Sequence, residues 1–229
     1  DGDFLTYTKA KHTNQLTAGT MYVKGDFTEK AAEDTHDYSD YYYNFDATGT
    51  HRVVFDGKKK QKISFERPNL SGFANVTFAN PDIELASGIR GFDLNEDINL
   101  TINADSFGVY SKALKLNGHS VGKINGKETL KFTTGTLDFG GSKVLVDGDL
   151  LQSGGTLYID GGELDVTGDY LLVGNRSTGD DGKEKIEEGW GILKMVKEKD
   201  VVNIDGDFLT YTKAKHTNQL TAGTMYVKG

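Results

Sequence analysis

The sequence predicts an all-β chain: a right-handed parallel β-solenoid, triangular in section, with about 20 residues per coil and loop insertions. Three observations carry that reading. Glycine is abundant at 29 of 229 residues, while proline is nearly absent at 2. In the last third, Gly135, Gly141, Gly148, Gly155, Gly161 and Gly168 follow one another at six or seven residues, one strand and one corner each. Finally, Asp1 to Gly25 recurs letter for letter as Asp205 to Gly229, so residues 1–204 form one tandem period and 205–229 open the next identical one.

In chain order, the first strand material is Met21 to Val23, followed by the Gly25-Asp26 box. Residues 29–46 lack both strand alternation and corner glycines and read as an insertion carrying the aromatic run Tyr38, Tyr41, Tyr42 and Tyr43. The string GTHRVVFDGKKKQKISF then reads as a strand, a hairpin turn at Asp56-Gly57 bearing Lys58, Lys59 and Lys60, and a second strand from Lys62 to Phe65. Residues 66–134 are less regular; strands fit at Val76 to Phe78, Ile98 to Ile102 and Leu130 to Phe132, with their register open.

From Gly135 the pattern tightens. Alternation places Leu157 and Ile159 inward with Thr156 and Tyr158 outward, and Leu164 and Val166 inward with Glu163 and Asp165 outward. The 20-residue step from Gly148 to Gly168 brings Asp147-Gly148-Asp149 back as Thr167-Gly168-Asp169. The corner glycines supply positive φ or close backbone passage. The 38-residue step from Gly168 to Gly206 needs an insertion, and residues 175–191 supply it; within them KEKIEE, Lys183 to Glu188, has room for one or two helical turns.

A net charge of −8 without a basic stripe argues against nucleic acid or an anionic membrane as partner. Without cysteine there is neither a disulfide framework nor a thiolate metal site. No apolar run approaches the roughly 18 residues that span a bilayer.

The strings GTHRVVFDGKKKQKISF, DGDLLQSGGTLYIDGGELDVTGDYLL and GILKMVKEKDVVNIDGDF resemble the Gly-Asp-rich repeats of very large bacterial surface proteins, similar in style to filamentous-haemagglutinin-type adhesins. The likeness covers about residues 1–65 and 135–229. It implies export to the cell surface or beyond and a role as stalk, fibre or adhesin, and it carries over no catalytic residue.

Several constellations admit chemistry. The Asp-Gly-Asp boxes (Asp147, Asp149, Asp205, Asp207, with Asp1 and Asp3) and the oxygen-rich group Asn175, Ser177, Asp180, Asp181 and Glu184 present the hard ligands calcium takes, yet the same aspartates suit the capping of turn backbone. The tyrosine run suits a neighbouring repeat, the chain's own flank or a stacked glycan. Lys58, Lys59 and Lys60 suit either an acidic neighbour or plain solvation. No nucleophile elbow, zinc-protease helix or phosphate loop appears. Asp138, Glu163 and Asp165 are the acids that a carbohydrate-active β-helix enzyme would have to group on one flank.

The expectation is therefore a non-enzymatic structural module of an extracellular bacterial fibre. It takes no cofactor beyond a candidate calcium ion, and its partners are identical repeats end to end with lateral fibre contacts. No cap is recognisable at either end, and 8 to 10 coils per period would rise roughly 40 to 50 Å at ~4.8 Å per coil. An adhesin stalk and a carbohydrate-active enzyme are the alternatives.

Overall fold

The computed structural model describes residues 2–8, 12–31, 44–124 and 127–229. Among these no helix forms, and all strand pairings are parallel except one hairpin. Short strands follow from the local pattern. Val144, Val146, Leu157, Leu164 and Val166 are buried while Lys143, Leu145, Thr156, Glu163 and Asp165 face out, so each segment hides one face.

The strands stack into three ladders. The first runs through Phe4–Thr8, Phe27–Ala31, Gln61–Phe65, Asp82–Leu85 and Asn99–Ile102. Hydrogen bonds from Leu100 N to Val121 O and from Ile102 N to Ile124 O, then a bridge between Lys123 and Leu145, carry it on to Lys143–Val146, Glu163–Val166, Val201–Ile204 and Thr224–Val227. The second begins with Thr20–Val23, Arg52–Phe55 and Asn75–Phe78. There the Phe78 and Phe92 rings, 5.6 Å apart, and a bridge from Asp93 to Lys115 lead into Leu114–Lys115, Thr136–Asp138, Thr156–Tyr158 and Ile192–Lys194, with a last bridge from Met195 to Leu220.

The third ladder starts with bridges from Leu16 to Ala47 and from Asp46 to Gly72. Arg90 reaches back across this stretch, with Nη1 donating to Asp46 Oδ1 at 2.8 Å and Nη2 to Leu70 O at 3.1 Å. From Ile89–Arg90 the ladder continues through Phe107–Tyr110, Thr129–Thr134, Asp149–Gln152, Tyr170–Val173 and Phe208–Tyr211. The chain visits the ladders in the order first, third, second. One apolar core, from Val23 and Phe27 to Val202 and Ile204, fills the space they enclose. This is an arrangement compatible with a β-helix.

Register shows where the stack is regular. Leu130, Leu150 and Tyr170 lie over one another at 20-residue offsets, as do Thr136 with Thr156 and Val144 with Leu164. Elsewhere the offset shortens to 17, from Asp82 to Asn99, or lengthens to 36, from Phe27 to Ile63, and to 38, from Leu164 to Val202.

Two expectations are corrected. Arg52–Phe55 and Gln61–Phe65 do not form a hairpin; they enter the second and first ladders, and Asp56-Gly57 opens a corner rather than a reversal. Long-range parallel partners on both strands outweigh the local turn signal. The KEKIEE stretch is strand, not helix: Glu184–Glu187 pairs antiparallel with Asn175–Thr178. Its Ile186 packs on the outward side chains Leu151 and Leu171, which gives the extended form a hydrophobic anchor that an isolated helical turn lacks.

Residues 29–46 begin inside a ladder, since Phe27–Ala31 is strand, and end inside the core, where Phe45 is buried.

Candidate functional site at the repeated corners

The Gly-Asp boxes build a ladder of their own at the corners. Asp149 Oδ1 accepts from Asp169 N at 2.8 Å, and Asp169 Oδ1 accepts from Asp207 N at 2.9 Å. At the other end of the chain, Asp3 Oδ1 accepts from Asp26 N at 2.9 Å and Asp26 Oδ1 from Lys62 N at 2.8 Å. Beside them, Gly168 N donates to Gly148 O at 2.9 Å and Gly206 N to Gly168 O at 3.1 Å. A Cβ on Gly168 or Gly206 would collide with the aspartate oxygen of the pass below. Glycine makes the room, and aspartate satisfies a backbone N–H that the corner turns away from the strands.

The other calcium candidates are held differently. Asp147 takes an ion pair from Lys123 at 2.7 Å and a hydrogen bond from Thr167 Oγ1 at 3.2 Å, and the Lys123 bond, then the Thr167 bond, hold its carboxyl below the ordinary range. Asp205 pairs with Lys228 at 2.6 Å. Asp180 and Asp181 sit in the hairpin turn, where Asp181 Oδ1 accepts from Lys183 N at 3.0 Å. Among the described residues, no three His, Cys, Asp or Glu side chains gather into a group that could hold a metal ion.

The three acids weighed for catalysis are split between two ladders. Asp138 is on the second, beside Asp160; burial, then the Asp160 charge, push its pKa up. Glu163 and Asp165 are on the first, where Lys143 bonds both at 2.9 and 2.8 Å and Asn203 donates to both. Burial opposes the charge on Asp165, but the Lys143 and Asn203 hydrogen bonds outweigh it and lower its pKa. Lys58, Lys59 and Lys60 are exposed at the corner before Gln61–Phe65, with Lys60 Nζ donating to Thr101 Oγ1 at 3.3 Å. Tyr38, Tyr41, Tyr42 and Tyr43 lie outside the described residues.

The repeated segment holds most of the large exposed hydrophobic side chains among the described residues. Among the described residues, the large exposed hydrophobic side chains are Leu5, Tyr7, Tyr22, Tyr211, Leu220, Tyr226, Val227 and Trp190, and all but Trp190 belong to one copy or the other. The copies share local geometry, with Asn14 and Asn218 at φ 58° and 59° and Gly19 and Gly223 at 92° and 89°. Their pairing partners differ. Phe4–Thr8 pairs with the pass after it, its Phe4 ring stacked 5.0 Å from Phe27; Phe208–Tyr211 pairs with the pass before it, its Phe208 ring 5.3 Å from Tyr170. Sequence reasoning found the identity of the copies but not these ring contacts, because nothing local in Phe4 or Phe208 names its neighbour.

No protein-family model, curated protein or solved structure matches the chain. No helix among the described residues is long and apolar enough to cross a membrane.

Proposed function

We propose that this chain is a structural repeat of an extracellular bacterial fibre. Its ladders form a right-handed, three-sided solenoid with a basic coil of about 20 residues, and tandem copies stack end to end. The observation that carries the reading is the complementarity of the two copies of the 25-residue segment. One copy presents the face that receives a preceding coil, and the other presents the face that receives a following coil. Leu5 illustrates the fit: it is 58% exposed, whereas its counterpart Leu209 packs against the cluster of Leu151, Leu171 and Val173 on the preceding passes.

Joining copies would also complete the corner ladder. Asp207 takes the place of Asp3, so the carboxylate that caps Asp26 would itself follow Asp149 and Asp169 in one unbroken series. Parallel ladders satisfy every backbone group only when each edge meets a partner, which is the force that favours continuation over a free end. Export and surface location rest on the resemblance of the Gly-Asp strings. The test is electron microscopy of the native material: a fibre with an axial repeat near 40 Å per copy is expected at ~4.8 Å per pass, and discrete globules would sink the reading.

A further inference from the structure

We infer that successive copies of the 204-residue period enter the stack one ladder apart, so that neighbouring copies are related by a screw of one third of a turn. The inference rests on the end-to-end reading above and adds the rotation that the reading leaves open. Its partner is a second copy of this chain, and its evidence is where the duplicated strands lie.

Phe4–Thr8 stands on the first ladder, but its duplicate Phe208–Tyr211 stands on the third. Leu16 bridges to Ala47 at the start of the third ladder, and its duplicate Leu220 bridges to Met195 on the second. Thr20–Val23 opens the second ladder, and its duplicate Thr224–Val227 closes the first. All three strand positions move the same way, by one ladder in the direction the chain travels. Counted along the first ladder, eight steps lead from Phe4–Thr8 to Val201–Ile204, and one further corner reaches Phe208 on the third. One period is thus eight whole passes and a third.

The corner aspartates follow the same shift. Asp207 continues the series Asp149, Asp169 at the corner leading into the third ladder, whereas the identical Asp3 starts the series Asp3, Asp26 at the corner leading into the first. The same residue therefore serves two corners. A period in which copies stood in line would have to lose one strand and corner, six or seven residues by the glycine spacing, or gain two.

A copy can serve any ladder because each is built from short parallel strands with a corner at either end. What matters is the pair of coils above and below, and these travel with the sequence. The consequence for function is display. Three copies restore the starting ladder, so features such as the Asn175–Thr178 and Glu184–Glu187 hairpin and the Lys58 to Lys60 corner wind around the fibre and face every side.

The test is a chain of four consecutive copies carrying Asp181→Cys at each hairpin tip, labelled with a small gold cluster, the natural sequence having no cysteine. The expected image is a rod whose labels advance one side per copy, with the fourth label returning to the side of the first at an axial distance of ~120 Å. A continuous rod with every label on one side overturns the screw and leaves the fibre reading standing. Four separate beads overturn both. If the label disturbs folding, helical reconstruction of the unlabelled four-copy chain decides the same question, because the hairpin itself marks the side: a rotation of one third of a turn per copy supports the inference, and no rotation overturns it.

Discussion

Residues 129–173 and residues 12–102 use the same ladders but solve the problem of stacking in different ways. In the first region the offset is 20 residues at every pairing, and the core is mainly aliphatic, with Leu137, Val144 and Val146 stacked on Leu157, Leu164 and Val166 and with Phe132, Phe139 and Tyr170 buried among them. In the second the offset ranges from 17 to 36, and the core is richer in aromatic rings. Phe27 alone has its ring within 6.3 Å of Phe4, Phe45, Phe55, Phe65 and Phe73. Equal passes place apolar side chain over apolar side chain, as Leu137 over Leu157 and Val146 over Val166. Unequal passes leave irregular space for large rings, and corners whose backbone groups need side-chain partners.

Those partners are buried polar residues concentrated in the irregular region. Gln61 donates to Val23 O and Gly25 O and accepts from Gly57 N, while Asn80 donates to Lys59 O. Glu29 accepts from Arg67 N and Ser71 Oγ. The Gly-Asp corner works in both regions, with Asp149 capping Asp169 N in the first and Asp26 capping Lys62 N in the second. Variable length adds further side-chain partners that differ from corner to corner, Gln61, Asn80 and Glu29 among them.

The contrast can be broken first at its largest contacts. Phe27→Ala should cost about 3–5 kcal/mol in denaturant unfolding and Leu164→Ala about 2–4, because one ring bridges several passes and one leucine joins two. A larger loss at Leu164 would mean that the regular stack is the less adaptable of the two.

Corner devices come next. Gly168→Ala should cost about 1–3 kcal/mol by overpacking. Combined with Asp149→Ala it should cost less than the sum of the single changes, since the oxygen it strikes has gone. Strict additivity in a double-mutant cycle would disprove the coupling of glycine and aspartate. Gln61→Leu should destabilise by about 1–3 kcal/mol, leaving corner groups unpaired; a neutral result would show that the irregular corners are satisfied without it.

The smallest effect is expected at Asp138, whose pKa burial and Asp160 raise in the folded chain. A raised carboxylate favours the folded state below its unfolded pKa, and that advantage is lost as pH rises through the folded pKa. Asp138→Asn should therefore gain on the parent between about pH 3 and pH 7, by about 0.5 kcal/mol or less, because its Oδ1 can still accept from Gly140 N. A gain that is equal at both ends of that range would remove the electrostatic explanation.

Much of the regular region was legible in the sequence. The inward set of Leu157, Ile159, Leu164 and Val166 and the need for extra residues between Gly168 and Gly206 follow from alternation and glycine spacing alone. The corner role of Asp149 was legible as one of two open uses, and its Oδ1 accepts from Asp169 N. Residues 66–134 were harder because strands such as Ile89–Arg90 and Leu114–Lys115 are two residues long, too short to show a period. The Asp56-Gly57 turn misled for a related reason, since a corner and a hairpin begin with the same residues and differ only in where the next strand pairs.

By itself the sequence determined which face of each segment is apolar, where the chain turns, and that 25 residues recur after 204, because these properties are written in neighbours a few residues apart. Only the tertiary structure decided which ladder each segment joins. That choice depends on the running total of strands and corners from the start of the period, a non-local sum in which every short or long pass counts. It is why two identical segments, with the same strands and the same turns, stand on different sides of one molecule.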